Sequence, residues 1–293
     1  MPDFGIFRGF NDKLFGDKLY AGQLPTQLGL IGSEDFGFVG LLDTYPNAAA
    51  AYSLRKLRIG YTGDAIEVRI DTTGQPTYDI GFVDGELDVT TLEGYCTGGL
   101  DAYVTTWYDQ SGNGNDATQT TASGQPQIVS SGSVIEENGK PSVQFDGADD
   151  YLLCNLYGQN RLDKFLVQNI SDTQFVNFNN GFSGGGTYGY TGLQGQTNTT
   201  IYSNYGTPTL YINNLQQNPS TRDDIYTLLN GYSLQSIINS STFTWTAFSI
   251  NGYSNGSSIN TQGKMQEFIT YPSDQSSNRT GIETNINDFY SIY

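Results

Sequence analysis

Short apolar segments alternate with paired turn residues along the second half of the chain, and this pattern constrains the fold more than any other feature. Beyond residue 140, strand-like segments are separated by Asp-Gly and Asn-Gly pairs at 146–147, 230–231, 251–252 and 255–256. Such pairs supply the positive φ angles that tight hairpins need. Regular spacing of short strands and turns is typical of a sandwich or a barrel. We therefore predict an all-β fold for most of the chain.

The first half carries the same signal more weakly. Apolar and charged side chains alternate over 66–70, and similar alternations predict strands over 79–83 and 102–107. Three short helices interrupt the strands. The first is predicted to begin near Pro46, because proline favours the first helical turn, and the second to be capped by Asp88. The predicted helices are 48–57, 88–92 and a C-terminal one whose apolar face is Ile282, Ile286 and Phe289.

The charge balance is strongly acidic. Thirteen basic and thirty acidic residues give a net charge of −17, and the pI is about 4.1. This balance argues against nucleic acid as a partner, because phosphates need a basic surface. It also argues against an anionic membrane surface. No apolar run approaches the roughly 20 residues of a spanning helix, and the N-terminus lacks the pattern of a secretory signal. We therefore expect a soluble protein.

Several kinds of chemistry lack their usual residues. The chain has no histidine, which is the commonest general base and metal ligand. Cys96 and Cys154 are the only cysteines, too few for a zinc site or a disulfide framework. One bridge between them and two buried free thiols are equally consistent with the sequence. No organic cofactor is predicted.

Residues 1–46 differ from the rest and are predicted to form an N-terminal arm, followed by one domain over 47–293. The arm scatters aromatics among glycines without a lasting period, so it is too apolar for a linker and too glycine-rich for its own core. It could fold over the chain's own sandwich. We favour docking on a partner protein through Phe4, Phe7, Phe10, Leu14, Phe15, Leu19 and Tyr20.

A polar loop follows the strand that ends at Trp107. Its sequence, Asp-Gln-Ser-Gly-Asn-Gly-Asn-Asp over 109–116, places carboxylates and amides at short spacing. Asp109, Asn113 and Asp116 are therefore weak candidates for calcium ligands. The favoured interpretation is a turn in which these side chains satisfy backbone N–H groups while the glycines supply positive φ. Asp146, Asp149 and Asp150 form a second acidic cluster with the same interpretation.

Three segments in this order resemble a known family. They are the Ala-Tyr-Ser-Leu-Arg of 51–55, the Trp-Tyr-Asp-Gln-Ser-Gly-Asn-Gly of 107–114 and the Phe-Asp-Gly…Asp-Tyr-Leu of 145–152. Together they resemble the catalytic domain of the arabinofuranosidase B family, over about residues 48–293. The resemblance implies a concanavalin A-like, jelly-roll β-sandwich and cleavage of arabinose from plant polysaccharides. The hairpin at 145–152 also resembles laminin-G-like domains.

The second half of the chain lacks the acids that such chemistry uses. A glycosidase needs two carboxyl groups about 5 to 9.5 Å apart, and the resembled family draws both from the second half of its domain. Here neither 173–222 nor 225–266 contains any Asp or Glu. We therefore predict that no catalytic residues are present and that the protein is not an enzyme.

The same half is rich in aromatics and amides, which suit a shallow sugar-binding surface. Strand tyrosines are also common in cores and at edges, so a structural role is the alternative. The candidate glycan contacts are Tyr188, Tyr190, Tyr205, Tyr211, Trp245 and Tyr253.

These features together predict a bacteriophage virion structural protein. Similar concanavalin-like modules occur in the fibre, decoration and adhesin proteins of tailed phages. The expected role is non-enzymatic display, as a head fibre, capsid decoration or tail fibre anchored to capsid or tail proteins by the arm. A homo-oligomer with weak, multivalent carbohydrate binding to host glycans is expected, in a virion assembled in the host cytoplasm.

Two alternatives remain. One is a diverged glycoside hydrolase of arabinofuranosidase type that uses first-half carboxylates such as Asp109 or Asp149. The other is a carbohydrate-binding lectin outside any virion.

Overall fold

A computed structural model describes the chain from residue 39 to the C-terminus with several gaps. The described residues are 39–154, 156, 158–171, 180–182, 209–219, 222–239, 247–251 and 261–293. A compact unit spans Phe38–Tyr293, and the predicted division into an arm over 1–46 and a domain over 47–293 stays a prediction. The arm residues Phe4 to Tyr20 lie outside the described part of the chain, and their predicted docking stays a prediction.

The described residues form twenty strands and four α-helices. The first ten strands are β1 (Ala50–Ser53), β2 (Ile66–Ile70), β3 (Thr77–Ile80), β4 (Phe82–Val83), β5 (Glu86–Leu87), β6 (Ala102–Trp107), β7 (Ala117–Thr118), β8 (Gln127–Ser130), β9 (Ser133–Val134) and β10 (Glu136–Glu137). The others are β11 (Lys140–Pro141), β12 (Val143–Asp146), β13 (Leu152–Cys154), β14 (Asp163–Ile170), β15 (Asn180–Phe182), β16 (Thr209–Ile212), β17 (Leu215–Gln217), β18 (Gly231–Ile238), β19 (Ala247–Ile250) and β20 (Gln262–Tyr271). The helices are α1 (Leu41–Thr44), α2 (Val89–Tyr95), α3 (Arg222–Leu229) and α4 (Arg279–Tyr290).

One antiparallel hydrogen-bonded network joins sixteen of these strands. Its main path runs β15-β19-β13-β7-β6-β8-β12-β20-β14-β18-β16-β17. Strand β6 pairs with β2 along one edge, while its other edge carries β8 near Tyr103 and β7 near Trp107. The network therefore divides at β6 into a branch that begins with β7 and a branch that begins with β8.

The inner hydrophobic core draws side chains from both branches. Leu152 and Ile250 come from the β7 branch, and Phe145 and Met265 come from the β8 branch. Trp107, fully buried at the division, lies in the same cluster. Two sheet layers that share one buried core are a sandwich, and the predicted all-β, jelly-roll-like class is confirmed.

A second hydrophobic cluster covers part of the outer face of the β8 branch. Helix α4 buries Ile282 and Ile286 there against Phe165 and Ile269, as its predicted apolar face requires. Leu41 of α1 is buried in the same cluster.

The predicted helix over 48–57 is wrong. Residues 50–53 form β1, whose register pairs Ala50 with Thr270 and Ser53 with Glu267. Pairing with the edge of β20 satisfies the backbone groups of β1 and buries Tyr52 completely. This tertiary gain outweighs the modest helical preference of an alanine run.

Other local predictions are confirmed. Strands β2 and β6 have the predicted bounds, and Asp88 caps α2 by accepting the Thr91 N–H at 2.9 Å. The predicted strand over 79–83 is split at Gly81 between β3 and β4. Cys96 and Cys154 are both free and buried.

Candidate functional site

The loop after β6 directs its carboxylates inward. Asp109 accepts four hydrogen bonds, from the N–H groups of Ala51 and Ser111 at 2.9 Å each, the Ser111 hydroxyl at 2.7 Å and the Asn115 N–H at 3.0 Å. Asp109 is also buried. Because both oxygens already have two donors, this side chain is placed as a structural acceptor rather than as a catalytic acid.

The other calcium candidates join the same network. The Asn113 amide donates to the backbone carbonyls of Ala48 at 2.9 Å and Ala49 at 3.1 Å. Asp116 accepts the N–H of Asp109 at 2.8 Å. These contacts tie the loop to the segment that enters β1, which fits the favoured interpretation of a hydrogen-bonded turn.

The Ala-Tyr-Ser-Leu-Arg segment of 51–55 contributes its arginine to a buried ion pair. The Arg55 guanidinium donates to both oxygens of Glu267, at 2.7 and 3.0 Å, and the Ser53 hydroxyl donates to the same carboxylate at 2.7 Å. Glu267 is fully buried. Sequence reasoning missed this pair, and the available signal was a single acid directly before the apolar residues Phe268 and Ile269 in the last strand. Its burial makes it a structural contact between β20 and the segment that follows β1.

A polar groove lies where β8 diverges from β6. Its cavity has a volume of about 470 Å³, within the range of small-molecule sites. The walls carry three carboxylates and four glutamine amides, together with Arg69 and Tyr103. The carboxylates belong to Asp71, Asp146 and Asp150.

Asp150 is the acid with the most altered chemistry in this groove. It is only 5% exposed, and burial raises its pKa to about 7. The N–H of Asp146, which donates to its Oδ2 at 2.8 Å, opposes this rise, whereas the nearby charges of Asp146 and Asp149 add to it. A carboxyl group with this pKa carries a proton that it can give up near neutral pH.

Asp146, Asp149 and Asp150 form a close carboxylate cluster. One oxygen from each lies within 4.8 Å of the others. Asp146 and Asp150 line the cavity, whereas Asp149 is exposed beside it. The spacing resembles that of the two carboxyl groups in retaining glycosidases. The oxygens would also suit a hard cation such as calcium.

The groove wall opposite this pair is fixed by Arg69. Its Nε donates to the Gln125 side-chain oxygen at 2.7 Å, and its Nη1 lies 3.3 Å from Asp71. The guanidinium also lies 4.8 Å from the Tyr103 ring centroid. These contacts hold a cation and an aromatic face at the cavity in defined positions.

The predicted glycan contacts lie elsewhere or outside the described residues. Tyr211 is on β16, and the Arg279 guanidinium lies 3.8 Å from its ring centroid, away from the groove walls. The other five candidates, Tyr188, Tyr190, Tyr205, Trp245 and Tyr253, lie outside the described residues. The cluster from Asp146 to Asp150 is recognisable in the sequence. The sequence does not show that Asp150 is buried whereas Asp146 and Asp149 are exposed.

Comparison with protein-family models and with curated proteins gives no match. Solved structures do match the fold. One is an arabinofuranosidase complexed with arabinofuranosyl-α-1,2-xylobiose, with 17% identity and a TM-score of 0.52. Another is a GH54 α-L-arabinofuranosidase soaked with a cyclic sulfate inhibitor, with 16% identity and a TM-score of 0.50. Each match covers 82% of this chain, which spans 62% of the length of those structures.

The predicted non-enzymatic phage structural role is wrong, and so is the prediction that the protein is not an enzyme. The structures that match this fold are arabinofuranosidases. Both predictions rest on the segments 173–222 and 225–266, where the acids are missing. They interpret the cluster at 146–150 as a hydrogen-bonded turn, and of its three acids only Asp149 is named in the hydrolase alternative.

Proposed function

We propose that the protein is a glycoside hydrolase of arabinofuranosidase type that uses Asp146 and Asp150 as its carboxyl pair. One observation carries this proposal: a buried acid with a pKa of about 7 and a second carboxylate within 4.8 Å line the same cavity of about 470 Å³. Groups in one site whose environments differ in this way are the usual basis for assigning acid and base roles.

In the proposed reaction, protonated Asp150 gives its proton to the glycosidic oxygen as the bond to the leaving sugar breaks. The Asp146 carboxylate attacks the anomeric carbon and forms a glycosyl–enzyme ester. Asp150, now ionised, takes a proton from a water molecule, which attacks the same carbon and releases Asp146. The configuration at the anomeric carbon is thereby retained.

The pair comes from a different part of the chain than the resemblance implied. The resembled family draws its acids from the second half of the domain, and 173–222 here contains no carboxylate. Asp146 ends β12, and Asp150 follows in the turn before β13. A similar sandwich would therefore carry its carboxyl pair at a different position in the chain.

The experiment measures release of nitrophenol from an aryl α-L-arabinofuranoside by the wild type and by Asp150→Asn, Asp146→Gly and Asp149→Asn. Asp149→Asn is the matched control, because this acid belongs to the cluster but does not line the cavity. We expect the first two variants to lose turnover and the control to keep it. Added azide should restore turnover to Asp146→Gly by replacing the missing nucleophile. Full turnover by Asp150→Asn, or no turnover by the wild type, would overturn the proposal.

A further inference from the structure

A row of polar side chains continues from the groove across the outer face of the sheet. The strand register places Arg69 opposite Tyr103, Tyr103 opposite Gln127 and Gln127 opposite Gln144. It then places Gln144 opposite Lys264 and Lys264 opposite Asn169. Directly opposed residues of neighbouring strands point to the same face, so these six side chains share one surface.

The row spans more than the cavity beside the acid pair. It crosses β2, β6, β8, β12, β20 and β14, and five strand spacings of about 4.8 Å amount to about 24 Å. A second cavity of about 180 Å³ adjoins the far end, where Lys264 and Asn169 lie. Gln144 lines both cavities, so the two adjoin at this side chain, and together they are called the cleft.

The two cations of the row are paired with acids of the protein itself. Lys264 donates to Glu137 at 3.1 Å and to the Glu136 carbonyl at 2.7 Å. Arg69 is paired with Asp71. The remaining members, Tyr103 and the three amide side chains, are neutral. Their hydroxyl and amide groups donate and accept hydrogen bonds, which matches sugar hydroxyls, and no unpaired cation in the row favours an anionic chain.

We propose that this row binds an extended, neutral polysaccharide chain that runs from the acid pair toward Asn169. The row thereby gives a polymer higher affinity than a small glycoside, which occupies only the first cavity. The inference rests on the proposed function for its chemistry, but binding along the row does not depend on proton transfer by Asp150.

The test is calorimetric titration of the full chain carrying Asp150→Asn with neutral arabino-oligosaccharides, from the disaccharide to the hexasaccharide. Binding alone is measured, so failure of the proposed hydrolysis and failure of this inference give different results. We expect the hexasaccharide to bind about tenfold tighter than the disaccharide, which is equivalent to about 1.4 kcal/mol. Anionic oligogalacturonide of the same length should bind more weakly than the neutral hexasaccharide.

Additional substitutions locate the contact. Gln144→Ala and Asn169→Ala should remove most of the increase in affinity from the disaccharide to the hexasaccharide, because both side chains lie beyond or at the edge of the first cavity. Gln216→Ala is the matched control, since this glutamine is exposed on β17 outside the row, and it should keep the gain. Affinity that does not change with length would overturn the inference. So would length-dependent binding that survives both row substitutions, or tighter binding of the oligogalacturonide.

Discussion

The N–H of Asp146 donates a hydrogen bond to Oδ2 of Asp150 at 2.8 Å. The backbone of one acid of the groove therefore fixes the position of the other acid's carboxyl group. The turn between β12 and β13 brings the second acid back over the first. Asp150 is thereby enclosed while Asp146 stays exposed. Two carboxyl groups four residues apart acquire different environments from one short turn.

Turnover should depend on the protonated form of Asp150. Because burial raises its pKa to about 7, the proton is present below pH 7 and is lost as the pH rises above it. We expect the activity to fall on the alkaline side with a midpoint near 7, and Asp150→Asn to lower turnover by about 10² to 10⁴. The pH–rate profile of the wild type provides the measurement. Unchanged activity up to pH 9 would contradict this role.

The same group should make stability depend on pH. The pKa of Asp150 rises from an ordinary 3.8 to about 7 on folding, so the folded state binds the proton more tightly. Its contribution to stability is fully present below about pH 4 and is lost as the pH rises through 7, a change on the order of 4 kcal/mol. Denaturant unfolding between pH 4 and 8 should show this loss in the wild type and less of it in Asp150→Asn. A parallel pH dependence in both proteins would refute the assignment.

Removing the charge of Glu267 should destabilise the fold strongly. Glu267→Gln leaves the buried Arg55 guanidinium without its anion, which costs about 3–5 kcal/mol. Glu86→Gln is the control, because Glu86 pairs with Lys140 at 2.7 Å but its side chain is 45% exposed, and exposed pairs contribute about 1 kcal/mol or less. Chemical denaturation compares the two. Equal losses would show that burial is not what sets the cost.

Gly40 and Gly94 should respond oppositely to alanine. A Cβ at Gly40 would overlap the Leu57 carbonyl and lie 2.6 Å from the Arg58 Cα, and such overpacking costs about 1–3 kcal/mol. A Cβ at Gly94, inside α2, meets nothing within 4 Å. Gly94→Ala should therefore stabilise by about 0.5–1 kcal/mol. Melting temperatures of both variants check this, and a stable Gly40→Ala protein would disprove the tight approach.

Asp109→Asn should impair folding rather than chemistry. The amide of the variant keeps one acceptor oxygen. Its NH₂ group, however, faces the Ser111 hydroxyl and the Asn115 N–H, which donate to Oδ2 of the wild-type carboxylate, and this mismatch costs about 1–3 kcal/mol. Turnover per folded molecule should stay near that of the wild type. A normal melting temperature with lost turnover would instead assign Asp109 to the reaction.

Much of the local structure could be predicted from the sequence because its causes are local. Alternation at 66–70 and 102–107 requires only a two-residue period, and the cap at Asp88 requires only its own side chain and the following turn. Helix α4 follows from the spacing of Ile282 and Ile286. The segment at 50–53 could not be predicted in this way, because its conformation depends on β20, more than 200 residues later.

The candidate site shows the same division. The sequence determined that acids lie at 146, 149 and 150, that 173–222 and 225–266 contain no carboxylate and that the chain is built from short strands and turns. Only the tertiary structure decided that Asp150 is buried, that Arg69 and Gln144 line the same cavity and that Glu267 contacts Arg55. The reason is physical. Turn propensity and side-chain period act within a few residues, whereas desolvation and strand register arise from segments far apart in the chain.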